Sequence, residues 1–250
     1  MHESDDHALA ARIAGDAGAM LVDLRGSRGL ADGRALGQEG DRRSNALIVG
    51  ALRAARPHDA VRSEEQLDTP GARTAGARRV WVVDPLDGTR EYGEGRADFA
   101  VHVALVVAGR PEVGAVALPG EALVFSTGTV PGPRAAPPPG GPLRVAVSRT
   151  RPPAEASRLA DRLGAELVPM GSAGAKVMAV VRGQVDAYVH AGGQYEWDSA
   201  APVAVALARG FCATRLDGSP LAYDRPDPWL PDLLVCRPEV ADAIRGALGA

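Results

Sequence analysis

Apolar residues recur at helical intervals over residues 5–25, where Leu9, Ile13, Met20 and Leu24 fall on one side and Ser4 or Asp5 offers an N-cap. A second helical pattern runs from about Asp41 to Ala55, with Leu47, Ile48 and Leu52 together, and stops before Pro57. DAVRSEE then reads as a short strand running into Glu64 and Glu65. RRVWVVD reads as a buried strand that delivers Asp84 to its end. From Phe99 to Ser126 the period changes to FAVHVALVV, EVGAVAL and ALVFS, separated by GRP and PGE turns, which predicts an antiparallel sheet.

Residues 131–142, PGPRAAPPPGGP, carry no apolar pattern and suit neither a helix nor an inner strand, so they read as a linker. That divides the chain into an N-terminal α+β half, 1–130, and a C-terminal half, 143–250. In the latter LRVAVS, a helix over 153–163, ELVPMG, a helix from about Ser172, VDAYVH, a helix from Asp198, DLLVCR and a final helix alternate as in α/β folds. No internal repeat is evident.

With 250 residues, 46% of them hydrophobic, the chain can bury a core as one large domain or two intimate halves. A net charge of −3 gives no global attraction for nucleic acid or an anionic membrane, so an anionic ligand needs a local device. The acidic opening MHESDDHALA has none of the regions of a secretory signal, and stretches such as APVAVALA are too short to cross a bilayer. A cytoplasmic protein is expected. Cys212 and Cys236 lack metal-type spacing and read as structural thiols. Of 28 basic residues only Lys176 is a lysine, a bias that empties arginine counts of functional meaning.

The chemistry concentrates in carboxylates at element ends: Glu64 and Glu65, Asp84 and Asp87 in VWVVDPLDGTREY, and Asp198 in EWDSAAP. Alone, each has an ordinary explanation; DPLDG is a good turn and Asp198 a good N-cap. Brought together they repel by about 1 to 4 kcal/mol per pair near 4 Å, unless cations intervene. Oxygen donors without His or Cys select hard ions, Mg²⁺ before Zn²⁺. Asp84, Asp87 and the Leu86 carbonyl can face one site across the turn that Pro85 stiffens, and the Gly88 and Thr89 N–H groups can receive a phosphate. Paired ions of this kind serve in-line phosphoryl displacement, with the Thr89 hydroxyl placed to hold the attacking water.

GQEGD, SEE, DPLDGT, GSAGAK and WDSAAP occur in the order and approximate spacing of the magnesium-dependent, lithium-sensitive phosphatases related to inositol monophosphatase, and the chain resembles that superfamily over nearly its whole length. The resemblance implies an α/β layered sandwich (αβαβα) of two intimately packed halves, commonly a homodimer. It implies that Glu64, Asp84, the Leu86 carbonyl, Asp87 and Asp198 bind two or three Mg²⁺ ions, with Li⁺ inhibitory. Asp41 and Thr89 would orient and deprotonate the water, with Glu64 assisting as a catalytic carboxylate. Asp41 follows LGQEG instead of the usual threonine-rich lead-in, and an ordinary N-cap is its other reading.

Within the superfamily, DGTREY and the Gly171, Ser172, Lys176 set are most similar to the CysQ-type 3′(2′),5′-bisphosphate nucleotidases, which hydrolyse 3′-phosphoadenosine 5′-phosphate (PAP), a by-product of sulfate assimilation; the sulfated analogue PAPS is a further candidate. Gly88, Thr89, Arg90, Gly171, Ser172, Lys176 and His190 are the implied substrate contacts, Lys176 pairing with a second phosphate. His190 stands where the branch often has arginine. HAGGQY offers no acid for inositol hydroxyls, and Trp197 reads as packing. The alternatives are a broad inositol phosphate or fructose 1,6-bisphosphate phosphatase and a non-catalytic nucleotide-binding protein. A covalent-aspartate phosphatase of the haloacid type needs aspartates one residue apart, which DPLD does not offer.

Overall fold

Alternation along the strands sorts side chains onto two faces, and helices cover both faces of both sheets. The computed structural model describes residues 3–28, 32–65, 79–129 and 141–249. Two helices, α1 (Glu3–Arg28) and α2 (Gly33–Ala55), precede β1 (Ala60–Ser63), β2 (Arg79–Asp87), a short α3 (Thr89–Gly93), β3 (Ala100–Val107), β4 (Arg110–Leu118) and β5 (Leu123–Ser126). These strands form one sheet in the order β1-β2-β3-β4-β5, antiparallel except for β1 alongside β2.

The second sheet follows from β6 (Arg144–Ser148), α4 (Ala154–Leu163), β7 (Glu166–Met170), α5 (Ala173–Val181), β8 (Ala187–Tyr195), α6 (Glu196–Ala208), β9 (Cys212–Thr214), β10 (Trp229–Cys236) and α7 (Pro238–Leu248). Its order is β7-β6-β8-β10-β9, with β6 parallel to both neighbours.

Three apolar layers hold the sandwich together. Trp81, Val83, Val101 and Val103 pack against Ile13 and Leu21 of α1 and Ile48 and Leu52 of α2. Their alternates Val80, Val82, Ala104 and Val106 join Val177 and Met178 of α5, Val203 of α6, and Tyr188, Leu233 and Val235 of the second sheet. Val145, Val189 and Leu234 on the far face pack against Leu159 of α4 and Ile244 of α7. The architecture is therefore the expected αβαβα sandwich, with α5 and α6 sharing the central layer between the sheets. No described helix is long and apolar enough to cross a membrane.

Several sequence expectations are corrected. Helix α1 already includes Ser4 and Asp5, so neither caps it. Helix α2 starts at Gly33, with the Asp32 side chain accepting from the Ala35 N–H; Asp41 lies inside the helix and is not its cap. Gly33, Gly37 and Gly40 hid those first turns, since glycine weakens a helical signal. Helix α6 begins at Glu196, two residues before Asp198. Strand β9 was not expected; it sets Cys212 opposite Cys236 across the ladder, and both are free thiols, with burial pushing Cys236 up to about 12. The 131–142 linker falls outside the described residues except for its last two positions.

Candidate active site

A break in strand register builds the acidic centre. Asp84 pairs with His102 and Asp87 with Ala100, so three steps along β2 match two along β3. The extra residue returns Asp87 to the face that Asp84 already occupies, while Leu86 turns into the core with no exposed surface. Asp84, Asp87 and Asp198 each offer one oxygen, all within 4.8 Å of one another.

Each of these carboxylates is anchored through one oxygen. Asp84 Oδ1 accepts from the Leu86 N–H at 3.1 Å, and Asp198 Oδ2 from the Tyr195 N–H at 2.6 Å. Asp87 Oδ2 accepts from the Ser172 hydroxyl at 2.6 Å and the Gly174 N–H at 2.7 Å.

Glu64 arrives from the other side. Its N–H extends the β1–β2 ladder to the Val83 carbonyl at 3.2 Å, which brings its side chain toward Asp84. The residue is largely exposed, yet burial of its carboxylate first, and then Asp41 and Asp87, push Glu64 up to about 7. Burial and the neighbouring acids likewise push Asp198 up to about 7 and raise Asp84 well above the carboxylate range. A crowded set of oxygen-donor acids, three of which are pushed toward their protonated forms, fits hard divalent cations.

Beside them stands Asp41. Its Oδ2 lies 3.0 Å from the Thr89 hydroxyl, which is also 3.0 Å from the Leu86 carbonyl. Asp41 Oδ1 is buried with no hydrogen-bond partner among the described residues, and burial pushes the group up to about 7. The approach depends on glycine: a Cβ at Gly37 would lie 2.7 Å from Thr89 Cγ2, and one at Gly33 would lie 2.4 Å from the Gly93 carbonyl. LGQEG thus supplies closeness where side chains would keep the helix away. The Ser44 hydroxyl donates to the Pro85 carbonyl at 2.7 Å and Ser63 to Asn45 at 2.7 Å, clasping α2 to the segments that carry Asp84 and Glu64.

Gly88 lies at φ +87° and opens α3, whose first-turn N–H groups have no intrahelical acceptor. Arg90 points outward in an ion pair with Glu94 at 2.8 Å. The Gly171 N–H donates to Asp98 at 2.7 Å, and Ser172 caps α5 while it holds Asp87. Lys176 is buried, its Nζ donating to the Gly171 carbonyl at 3.1 Å and lying 5.1 Å from the Tyr188 ring centre; burial lowers its pKa. His190 uses Nε2 on the Gly193 carbonyl at 2.8 Å, and burial favours its neutral form. Trp197 is buried in the central layer, stacked on Tyr195 at 4.8 Å.

Two features escaped the sequence reading. His102, wholly buried, sets Nδ1 3.1 Å from the Trp197 carbonyl and Nε2 3.3 Å from Asp87, bridging the DPLD and EWD segments. Arg62 and Glu196 form a buried ion pair two residues from Glu64 and Asp198 respectively, and Glu196 also accepts from the Asp224 N–H at 2.8 Å. Among the sequence signals only the polar character of these residues within apolar segments hinted at either.

Comparison with known proteins decides the kinship. Residues 31–241 match the family model described as the inositol monophosphatase family. The chain belongs to the inositol monophosphatase family. As a member, it is 50% identical over 260 aligned positions to a protein named 3′-phosphoadenosine 5′-phosphate phosphatase from Mycobacterium leprae (strain TN), covering 98% of this chain and 94% of that one. It is 32% identical to the 3′(2′),5′-bisphosphate nucleotidase CysQ of Escherichia coli (strain K12), over 72% of this chain and 76% of that one. Among solved structures of the inositol monophosphatase family, CysQ from Bacteroides thetaiotaomicron superposes with a TM-score of 0.82 at 24% identity, over 94% and 98% of the two chains, a likeness of fold. The family is metal-dependent, in keeping with the acidic cluster.

Proposed function

We propose that this protein is a Mg²⁺-dependent phosphomonoesterase that removes the 3′-phosphate of PAP, yielding AMP and phosphate, as its Mycobacterium leprae relative is named for doing. The reaction type rests on one observation: carboxylate oxygens of Asp84, Asp87 and Asp198 within 4.8 Å of one another, next to the Asp41–Thr89 pair. The substrate rests on identity to that relative across almost the full chain.

Glu64, Asp84, Asp87, Asp198 and the Leu86 carbonyl would hold the cations, which supply a water of lowered pKa and offset charge on the phosphate. Thr89 orients that water by accepting its hydrogen while donating its own to Asp41 at 3.0 Å. Asp41 receives the proton, a role that suits a carboxyl pushed up to about 7. The N–H groups at Gly88 and Thr89 hold the phosphate oxygens at the start of α3. Ser172, fixed to Asp87, closes the site from the second half of the chain.

Inhibition by Li⁺ belongs to this reading, because Li⁺ competes for all-oxygen sites. So do a homodimer and a cytoplasmic location, where sulfate assimilation takes place. The test is phosphate release by the purified protein, with and without Mg²⁺, from PAP, inositol 1-phosphate and fructose 1,6-bisphosphate. A dominant kcat/KM for PAP that needs Mg²⁺ is expected. Equal rates on all three would replace the nucleotidase with a general phosphatase, and no rate on any would leave a binding protein.

A further inference from the structure

The nucleotide reading leaves one phosphate of the substrate without a partner, since the acidic centre handles only the reacting one. Strand β6 lies between β7 and β8 and runs parallel to both, so the C-terminal ends of three strands open on one side. Such ends are where open α/β sheets bind ligands. Here β7 delivers Gly171 and Ser172, β8 delivers His190, and the turn after β6 carries Arg149 and Arg151. The turn is pinned beside the site: the Arg149 N–H donates to the Met170 carbonyl at 3.0 Å, and the Arg151 N–H to the Ser148 hydroxyl at 3.2 Å.

The cations around this opening are unequally engaged. Arg149 is taken by Glu91 and Glu94, each at 2.8 Å. Lys176 is buried against the Gly171 carbonyl and the Tyr188 ring. His190 spends its Nε2 proton on Gly193. Asp232, the acid that acts on His190, is bound to Arg215 at 2.7 Å. Arg151 is exposed, acts electrostatically on His190, and has no carboxylate partner among the described residues. A guanidinium left free at such a mouth suits a phosphate, which it can grip with two parallel N–H bonds.

We propose that Arg151 receives the second, non-reacting phosphate of a nucleoside 3′,5′-bisphosphate, with His190 as a wall of that subsite and Lys176 held back from it against the Gly171 carbonyl. This rests on the bisphosphate reading above and assigns its selectivity to a residue outside the metal centre.

The experiment compares adenosine 3′,5′-bisphosphate with adenosine 3′-phosphate, which keeps the reacting group and lacks the second phosphate, in wild type, Arg151→Gln and Arg151→Lys with Mg²⁺ present. In Arg151→Gln the ratio of the two kcat/KM values should fall about tenfold to a hundredfold, mostly through KM on the bisphosphate, the loss expected of a charge-assisted contact. Arg151→Lys should recover part of the ratio. Calorimetric titration with AMP should show the same order of affinities. An unchanged ratio, or an equal loss on both substrates, would overturn the subsite while leaving the phosphatase standing. A wild type that hydrolyses neither nucleotide but retains activity on inositol 1-phosphate would overturn the substrate reading itself.

Discussion

The Thr89 hydroxyl stands 3.0 Å from the Asp41 carboxylate although 48 positions separate them in the chain. The glycines of α2 make that approach possible, and Asp41 meets the hydroxyl with one oxygen while the other has no hydrogen-bond partner among the described residues.

If Asp41 is the proton acceptor, Asp41→Asn should lower kcat by about 10²- to 10⁴-fold with KM within a few-fold of wild type. Thr89→Val should do the same by removing the hydroxyl at nearly constant volume. Gly37→Ala, whose Cβ would press on Thr89 Cγ2 at 2.7 Å, should fall between the mutants and wild type. Steady-state kinetics checks this, with circular dichroism to confirm folding. An unchanged kcat in Asp41→Asn would remove that residue from the proton path.

The acidic centre trades stability for function. Asp84→Asn should abolish Mg²⁺-dependent hydrolysis and at the same time raise the Tm of the chelator-treated protein by a few degrees, because Asp84, buried beside Glu64, Asp87 and Asp198, must take up a proton to fold whereas asparagine is neutral already. Differential scanning calorimetry in EDTA reads the second effect. A lower Tm than wild type under those conditions would contradict that cost of proton uptake.

The same crowding fixes a pH dependence. Unfolded carboxyls titrate near 4, whereas Glu64 and Asp198 are pushed up to about 7 in the fold. Between about pH 4 and pH 7 the folded chain therefore binds more protons than the unfolded one, and the stability of the metal-free protein falls as pH rises through that window. Mg²⁺ favours the ionised acids, so its stabilising effect should grow over the same range. Melting curves from pH 5 to 8, in EDTA and in Mg²⁺, test the divergence; parallel curves would refute it.

Ser172→Ala removes a 2.6 Å hydrogen bond to Asp87 and leaves the Gly174 N–H as the remaining close donor. A charge-assisted bond of this kind contributes about 1.5 to 3 kcal/mol. The variant should bind Mg²⁺ several-fold more weakly by titration calorimetry, with a smaller loss of fold stability, since the α5 cap is also lost.

Glu196→Ala takes its nearest carboxylate from Arg62, whose side chain is only 4% exposed, and leaves it the Arg225 carbonyl at 3.0 Å and Asp224 at 3.8 Å. Removing one partner of a buried pair costs about 3 to 5 kcal/mol, whereas replacing both with apolar residues is far milder. Urea denaturation of Glu196→Ala and of the Arg62→Met, Glu196→Leu double variant should show that order. Equal destabilisation would mean that the pair contributes more than mutual neutralisation.

Local pattern carried much of the outcome. Period-two alternation placed β2 to β5 and β6 to β8, and the three-residue spacing of Asp84 and Asp87 anticipated one shared site, because sidedness along a strand is a property of neighbouring residues. Glu64, Asp87, Thr89, Asp198 and the helix start near Ser172 were legible for the same reason: each sits near an element end that its own neighbours define. What the chain alone did not disclose depends on distant surfaces meeting. The start of α2 at Gly33, the bridge from His102 to Asp87 and Trp197, the Arg62–Glu196 pair and the facing of Cys212 and Cys236 all come from packing across the layers. So does the fate of the cations: a lone lysine suggests a ligand contact in sequence, but only closure of the central layer buries Lys176 while Arg151 stays exposed. Periodicity reports which way a side chain points; which partner it meets there is decided when the two sheets close on the helices between them.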